Sequence, residues 1–135
     1  MIVTVDWLRE RGACTLGPFE AAFPDGLDTD NPEHIQRARD AGCDMWWAAA
    51  YLPVDAIGWA ATYPDASVRY WAIKRLPLHQ LEWVKTNRSP RLRKLLVRRW
   101  PIDDLGWALR SDSKEIRDMA SDRITLNNML RGHRR

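Results

Sequence analysis

Four kinds of side chain in this 135-residue chain could carry chemistry: two cysteines, three histidines, a few neighbouring acids and a dense set of arginines and lysines. Cys14 and Cys43 stand in no CxxC spacing. They are read as buried thiols of a cytoplasmic protein, with a disulfide or a shared metal as the less favoured alternatives. His34, His79 and His133 are scattered and lack ligand spacing. No HExxH, no GxSxG and no glycine-rich phosphate loop is present. Asp103 and Asp104 fall in the first turn of an expected helix, where acids suit the dipole better than they suit catalysis. No catalytic residue, cofactor or metal ligand is expected, and an enzyme on this scaffold is the weakest of three functional classes.

The cations are more informative. Lys85, Arg88, Arg91, Arg93, Lys94, Arg98 and Arg99 cluster within one stretch, where Glu82 is the nearby acid. Like charges at that density need a solvated face or an anionic partner. The charge is also split along the chain. Residues 1–52 hold four Lys/Arg against nine Asp/Glu, and residues 53–135 hold seventeen against nine. One acidic end and one basic end are therefore expected, and with them a partner that reads the difference. The aromatic content points the same way: eight tryptophans, three of which, Trp59, Trp83 and Trp107, recur at intervals of 24 residues.

That interval belongs to the elements that must position these side chains. Pro53, Pro77 and Pro101 are also 24 apart, and Ile57, Leu81 and Leu105 keep the same spacing. So do the pairs Val68-Arg69, Leu92-Arg93 and Ile116-Arg117. A fixed period of this length marks a repeat array. Each repeat is expected to open at its proline with a short helix, burying Val54/Ile57/Ala61, Leu78/Leu81 and Ile102/Leu105/Leu109. Asp65, Ser89 and Ser113 stand in register as N-caps of a second helix. That helix is expected to bury Val68/Trp71/Ala72/Leu76, Leu92/Leu95/Leu96/Trp100 and Ile116/Met119/Ala120/Ile124, until the next proline ends it. At 100° per residue on an α-helix, the tryptophan column lies opposite the apolar stripe. It forms either an exposed aromatic ladder or a set of rings packed between repeats, the second being favoured. The arginine columns, Arg69/Arg93/Arg117 and Arg75/Arg99/Arg123, are expected to bridge repeats.

Residues 1–52 read as an acidic helical N-terminal cap. Asp6 starts a helix from Trp7 to Arg11, Phe19 and Phe23 share a face of the next, and Asn31-Pro32 starts a third that Gly42 closes. A further helix runs from Cys43 to Leu52. Past Ile124, Thr125 replaces the proline, and Leu126, Met129 and Leu130 begin a helix that is not completed, a degenerate cap. Arg131, Arg134 and Arg135 form a basic tail. No apolar run reaches the roughly 18 residues of a membrane span, and the start has no export signal. One all-α domain is expected over 1–135, with repeats over 53–124 and the degenerate cap and tail over 125–135.

The repeat resembles the leucine-rich repeat variant family, a 24-residue unit in the style of HEAT repeats. The resemblance rests on Pro101, Leu105, Ala108, Asp112, Ile116-Arg117 and Ala120, and on Pro53, Ile57, Ala60-Ala61, Asp65, Val68-Arg69 and Ala72. It implies a short right-handed α-solenoid of paired helices, one of each pair open to a 3₁₀ form. Members of that family can carry an N-terminal iron–sulfur cluster; two cysteines cannot fill four ligand positions, so the cluster is not carried over. The N-terminal stretch, from Trp7-Leu8-Arg9-Glu10 through Phe19 and Phe23-Pro24 to Asp44-Met45-Trp46-Trp47-Ala48, is similar to small uncharacterised proteins of bacteria and their phages. These resemblances imply a non-enzymatic protein–protein interaction module, in a mobile-element setting such as the blocking of a host defence complex. The partner would be a larger, acidic or nucleoprotein complex. The alternative is a nucleic-acid-binding module that uses the basic middle repeat, holding single strands by phosphate contact and base stacking.

Overall fold

The computed structural model describes residues 1–133. The chain is mostly helical, and strand is confined, among the described residues, to one two-stranded antiparallel ribbon. Backbone contacts divide the chain into two compact units, one spanning Met1–Arg75 and the other taking up the chain from Leu76.

In the first unit, helix α1 (Val5–Glu10) is capped by Thr4, whose hydroxyl accepts from the Trp7 amide at 3.1 Å. Asp6, the cap expected from sequence, lies inside the first turn instead. Helix α2 (Gly17–Ala22) buries Phe19, which meets Phe23 at 5.4 Å between ring centroids. Helix α3 (Pro32–Asp40) starts as its residues dictate. The Asn31 side chain accepts from the amides of Glu33 and His34, and Pro32 occupies the first helical position, where no amide is needed. Helix α4 (Met45–Tyr51) is capped by Asp44.

The ribbon is the element that the sequence did not announce. Strand β1 (Ile2–Val3) pairs with β2 (Leu27–Asp28), Ile2 opposite Asp28 and Val3 opposite Leu27. Two residues are too few to show the alternation that marks a strand. Gly26 permits the pairing. Its φ is +102°, and a Cβ there would stand 2.8 Å from the Ile2 side chain, so only glycine fits.

Each repeat opens the same way. Pro53, Pro77 and Pro101 hold φ near the ring-locked value, at −55°, −57° and −55°. A single 3₁₀ turn follows in each: Val54–Ala56, Leu78–Gln80 and Ile102–Asp104. A second 3₁₀ turn follows in the first two repeats, Gly58–Thr62 and Glu82–Thr86, and a short α-helix, α7 (Gly106–Leu109), in the third. The opening half-repeat is thus not the continuous α-helix that an i, i+3, i+7 stripe suggests. As a result Val54 and Leu109 are exposed, while Ile57, Ala60, Leu81, Val84, Leu105 and Ala108 form the core columns.

The second halves are α-helices: α5 (Ala66–Arg75), α6 (Pro90–Arg99) and α8 (Lys114–His133). Asp65 accepts from the Ser67 amide and Ser89 from the Leu92 amide, and Pro90 fills the first turn of α6. Val68, Leu92 and Ile116 are buried, as are Ala72, Leu96 and Ala120. Trp71, Met119 and Ile124, expected in the core, are half-buried. Leu76 and Trp100 stand next to a proline that stops the helix. At Thr125 nothing stops it. Residues after Ile124 are therefore not a separate incomplete helix: α8 runs unbroken for 20 residues. Arg134 and Arg135 of the basic tail lie outside the described residues.

Candidate functional site

Both parts of the candidate site lie in the second unit. The first is the group of seven cations on and before α6, and the fold sorts it into two classes. Lys85 is half-buried, pairs with Glu82 at 3.0 Å and lies over the Trp100 ring at 4.1 Å. Arg93 is only 9% exposed, and its Nη1 donates to Asp112 at 2.8 Å and to the Ser111 hydroxyl at 3.1 Å. Lys94 is ion-paired with Glu115. Arg99 Nη1 donates to the Leu76 carbonyl at 2.9 Å. These four are structural. The acids that neutralise Arg93 and Lys94 come from the next repeat, which is why counting neighbours along the middle repeat alone found no more than Glu82.

Arg88, Arg91 and Arg98 differ: all three are exposed, and none has a hydrogen bond or ion pair within the described residues. The free part of the expected basic strip is therefore three arginines, not seven cations.

The other arginine column is a repeated packing device. Arg75 Nη1 donates to the Ala49 carbonyl at 2.8 Å, and Arg123 Nη1 donates to Val97 at 2.7 Å and also to Trp100. These are carbonyls near the ends of helices, where intrahelical partners run out. In the Arg69/Arg93/Arg117 column, Arg117 turns back on its own loop rather than bridging repeats, donating to the Ser111 carbonyl at 2.7 Å.

The tryptophan column is half-buried in all three repeats. Trp59 Nε1 donates to the Ala56 carbonyl at 2.8 Å, and Trp83 Nε1 donates to the Gln80 carbonyl at 3.0 Å. A 3₁₀ turn has three residues per turn, so side chains three apart eclipse. That lets each indole fold back on the turn before it, and it removes the α-helical projection that set the column opposite the core. The third repeat departs because α7 is α-helical. There Trp107 packs edge-on against Trp100, with ring centroids 6.1 Å apart.

The second part of the site is the far end of α8. Leu126, Met129 and Leu130 are 58%, 58% and 53% exposed, and they sit at i, i+3 and i+4 on one helical face. Arg123 fixes the helix to the Val97 and Trp100 carbonyls. At 1.5 Å per residue, Leu130 lies about 10 Å further along. The exposed end is thus carried on a well-anchored helix. Its sequence signal was the missing proline at position 125, which means that a helix continues rather than begins.

The remaining chemistry-bearing residues serve the fold. His34 Nδ1 accepts from the Asp28 amide at 2.9 Å and so tethers β2 to α3. Asp104 accepts from Trp100 Nε1 at 3.2 Å. Cys14 is exposed, contrary to the expected pair of buried thiols, and Cys43 is half-buried; both are free. Among the described residues no group of three or more His, Cys, Asp or Glu side chains is placed to hold a metal ion. No helix among them is long and apolar enough to cross a membrane. Set against known protein families, curated proteins and solved structures, the chain matches none.

Proposed function

We propose that this protein is a non-enzymatic binding module. It docks on an acidic protein surface through the exposed end of α8, with the free arginines of the second unit as electrostatic guides. The observation that carries the proposal is the Leu126, Met129, Leu130 face, three large apolar side chains left in water on an anchored helix. An apolar helical face with arginines near it is a common form of protein recognition surface. Arg131 is exposed beside it. Arg88, Arg91 and Arg98 supply further uncompensated positive charge in the same unit, which raises the association rate with an acidic partner.

In this account the 24-residue units belong to the leucine-rich repeat variant style and stack as a short right-handed α-solenoid in the cytoplasm. The setting on a phage or mobile element, with a host defence complex as the target, rests on the N-terminal resemblance and is the outermost part of the proposal. The nucleic-acid alternative keeps three arginines rather than seven cations, and the indoles of Trp59 and Trp83 are already folded onto their own turns. Those two facts favour protein over nucleic acid.

The test is affinity purification from the native host with the wild type and with Met129→Asp. The proposal expects a discrete acidic protein with the wild type and its loss with the variant. Equal recovery from both, or retention dominated by nucleic acid and released by salt, contradicts it.

A further inference from the structure

A cavity of about 270 Å³ lies inside the first unit. Its wall is formed by Val3, Leu8, Phe19, Leu27, Ile35 and Met45, with the Trp47 and Trp59 rings. Four exposed residues, Cys14, Thr15, Gly42 and Asp44, also line it and form its mouth. No Lys, Arg or His side chain lines it. The polar side chains at Thr29 and Asp44 each make a hydrogen bond within the fold. The Thr29 hydroxyl donates to the Met1 carbonyl at 3.2 Å, and the Asp44 carboxylate accepts from the Trp47 amide at 2.9 Å. No cation lines the wall to pair an anionic guest, and the one carboxylate, Asp44, stands out at the exposed mouth.

Two further features mark this as more than loose packing. Thr15, at the mouth, has φ of +61°, in the left-handed region that a β-branched residue rarely enters. Such strain collects at ligand clamps and active sites, where surrounding structure holds it. The Trp59 ring is also locked in place by its Nε1 bond to the Ala56 carbonyl, so one wall is preformed. A void of this size forfeits dispersion contacts that an apolar guest restores.

We infer that this cavity is a binding site for a small, uncharged, apolar molecule of bicyclic aromatic size. An engineered apolar cavity of roughly 150 Å³ takes up benzene, and the present one has room for a guest nearly twice as large. Cys14 at the mouth and half-buried Cys43 in the wall stand beside the guest, so occupancy shields these thiols. Burial raises the Cys43 pKa, which keeps that thiol neutral and suits the same apolar guest.

The test uses indole as the probe, with indole-3-acetate as its charged counterpart. Carbon-13 methyl spectra of the whole protein are recorded during titration. The expected result is saturable shifts at Leu8, Leu27 and Met45, at least ten-fold weaker binding of indole-3-acetate, and at least ten-fold weaker indole binding in Ala48→Phe, which fills the cavity. Absence of saturable shifts at these methyls, equal binding of the two probes, or undiminished binding by a folded Ala48→Phe overturns the inference. Should that variant not fold, alkylation of Cys43 by N-ethylmaleimide is followed in Cys14→Ser. Saturating indole is expected to slow it at least ten-fold, and an unchanged rate overturns the inference equally.

Discussion

Arg93 is a guanidinium almost removed from water, and it survives there because Asp112 and Ser111 take up its Nη1. Removing Asp112, itself 87% exposed, would leave this buried guanidinium short of its counter-charge, and removing Arg93 forfeits both hydrogen bonds and the packing of its buried stem. Arg93→Ala should therefore destabilise the protein by about 1–3 kcal/mol, read as a drop in thermal midpoint. Arg98→Glu, on an exposed residue with no partner among the described residues, should stay within about 0.5 kcal/mol of the wild type. Two cations five positions apart thus differ in kind, one structural and one free. The pairing also has a pH signature. The Arg93 hydrogen bond and charge hold the Asp112 carboxyl below its ordinary value, so the folded pKa lies under the unfolded one. The contribution is complete above about pH 4, the unfolded value, and is lost as pH falls through the depressed one. The midpoint difference between wild type and Asp112→Asn should be constant from neutral pH down to about pH 5 and should close in stronger acid.

At the scale of elements, one proline decides where each repeat ends. Pro77 follows α5 and Pro101 follows α6, while Thr125 lets α8 run on. Thr125→Pro should break α8 after Ile124. The expected outcome is a loss of far-UV helical signal from the last turns, with the thermal midpoint nearly unchanged because the apolar side chains released, Leu126, Met129 and Leu130, are already exposed, and loss of partner binding. A full loss of cooperative unfolding would show that the end of α8 supports the core. The capping residues follow the same local logic: Asn31→Ala should cost about 1 kcal/mol, read by thermal melting. Much of this was legible in the sequence. Prolines, caps and buried columns at a 24-residue interval are local and repetitive, so Pro53, Asn31, Ile57 and Leu96 stand where their types predict. What was not legible depends on tertiary partners or on a subtle change of helix type. The 3₁₀ turns at Gly58–Thr62 and Glu82–Thr86 bury Ala60 and Val84, which the α-helical stripe did not include, and fold the indoles back. The ribbon of Ile2–Val3 with Leu27–Asp28 joins segments far apart in the chain and has no pattern of its own. The cations were visible as a cluster, but their sorting needed Asp112 and Glu115, which lie in the next repeat.

For the whole molecule, charge and apolar exposure describe the proposed partner. Residues 1–75 hold seven Lys/Arg against eleven Asp/Glu, and residues 76–135 hold fourteen against seven. The excess positive charge thus belongs to the unit that carries the exposed α8 face. A protein partner held by apolar contact should show weak salt dependence of affinity, with salt acting mainly on the association rate. A nucleic-acid partner would instead show affinity falling steeply with salt, in proportion to the phosphates neutralised. Mixed DNA and RNA oligonucleotides should accordingly bind weakly at physiological salt. The measurement that bears most directly on the account is site-specific photocrosslinking in the native host, with a benzophenone side chain at Met129 and, as a control, at exposed Glu33 of α3. One discrete acidic protein adduct from position 129 and none from position 33 is the predicted result; the same adducts from both positions, adducts to nucleic acid, or none from position 129 would contradict it.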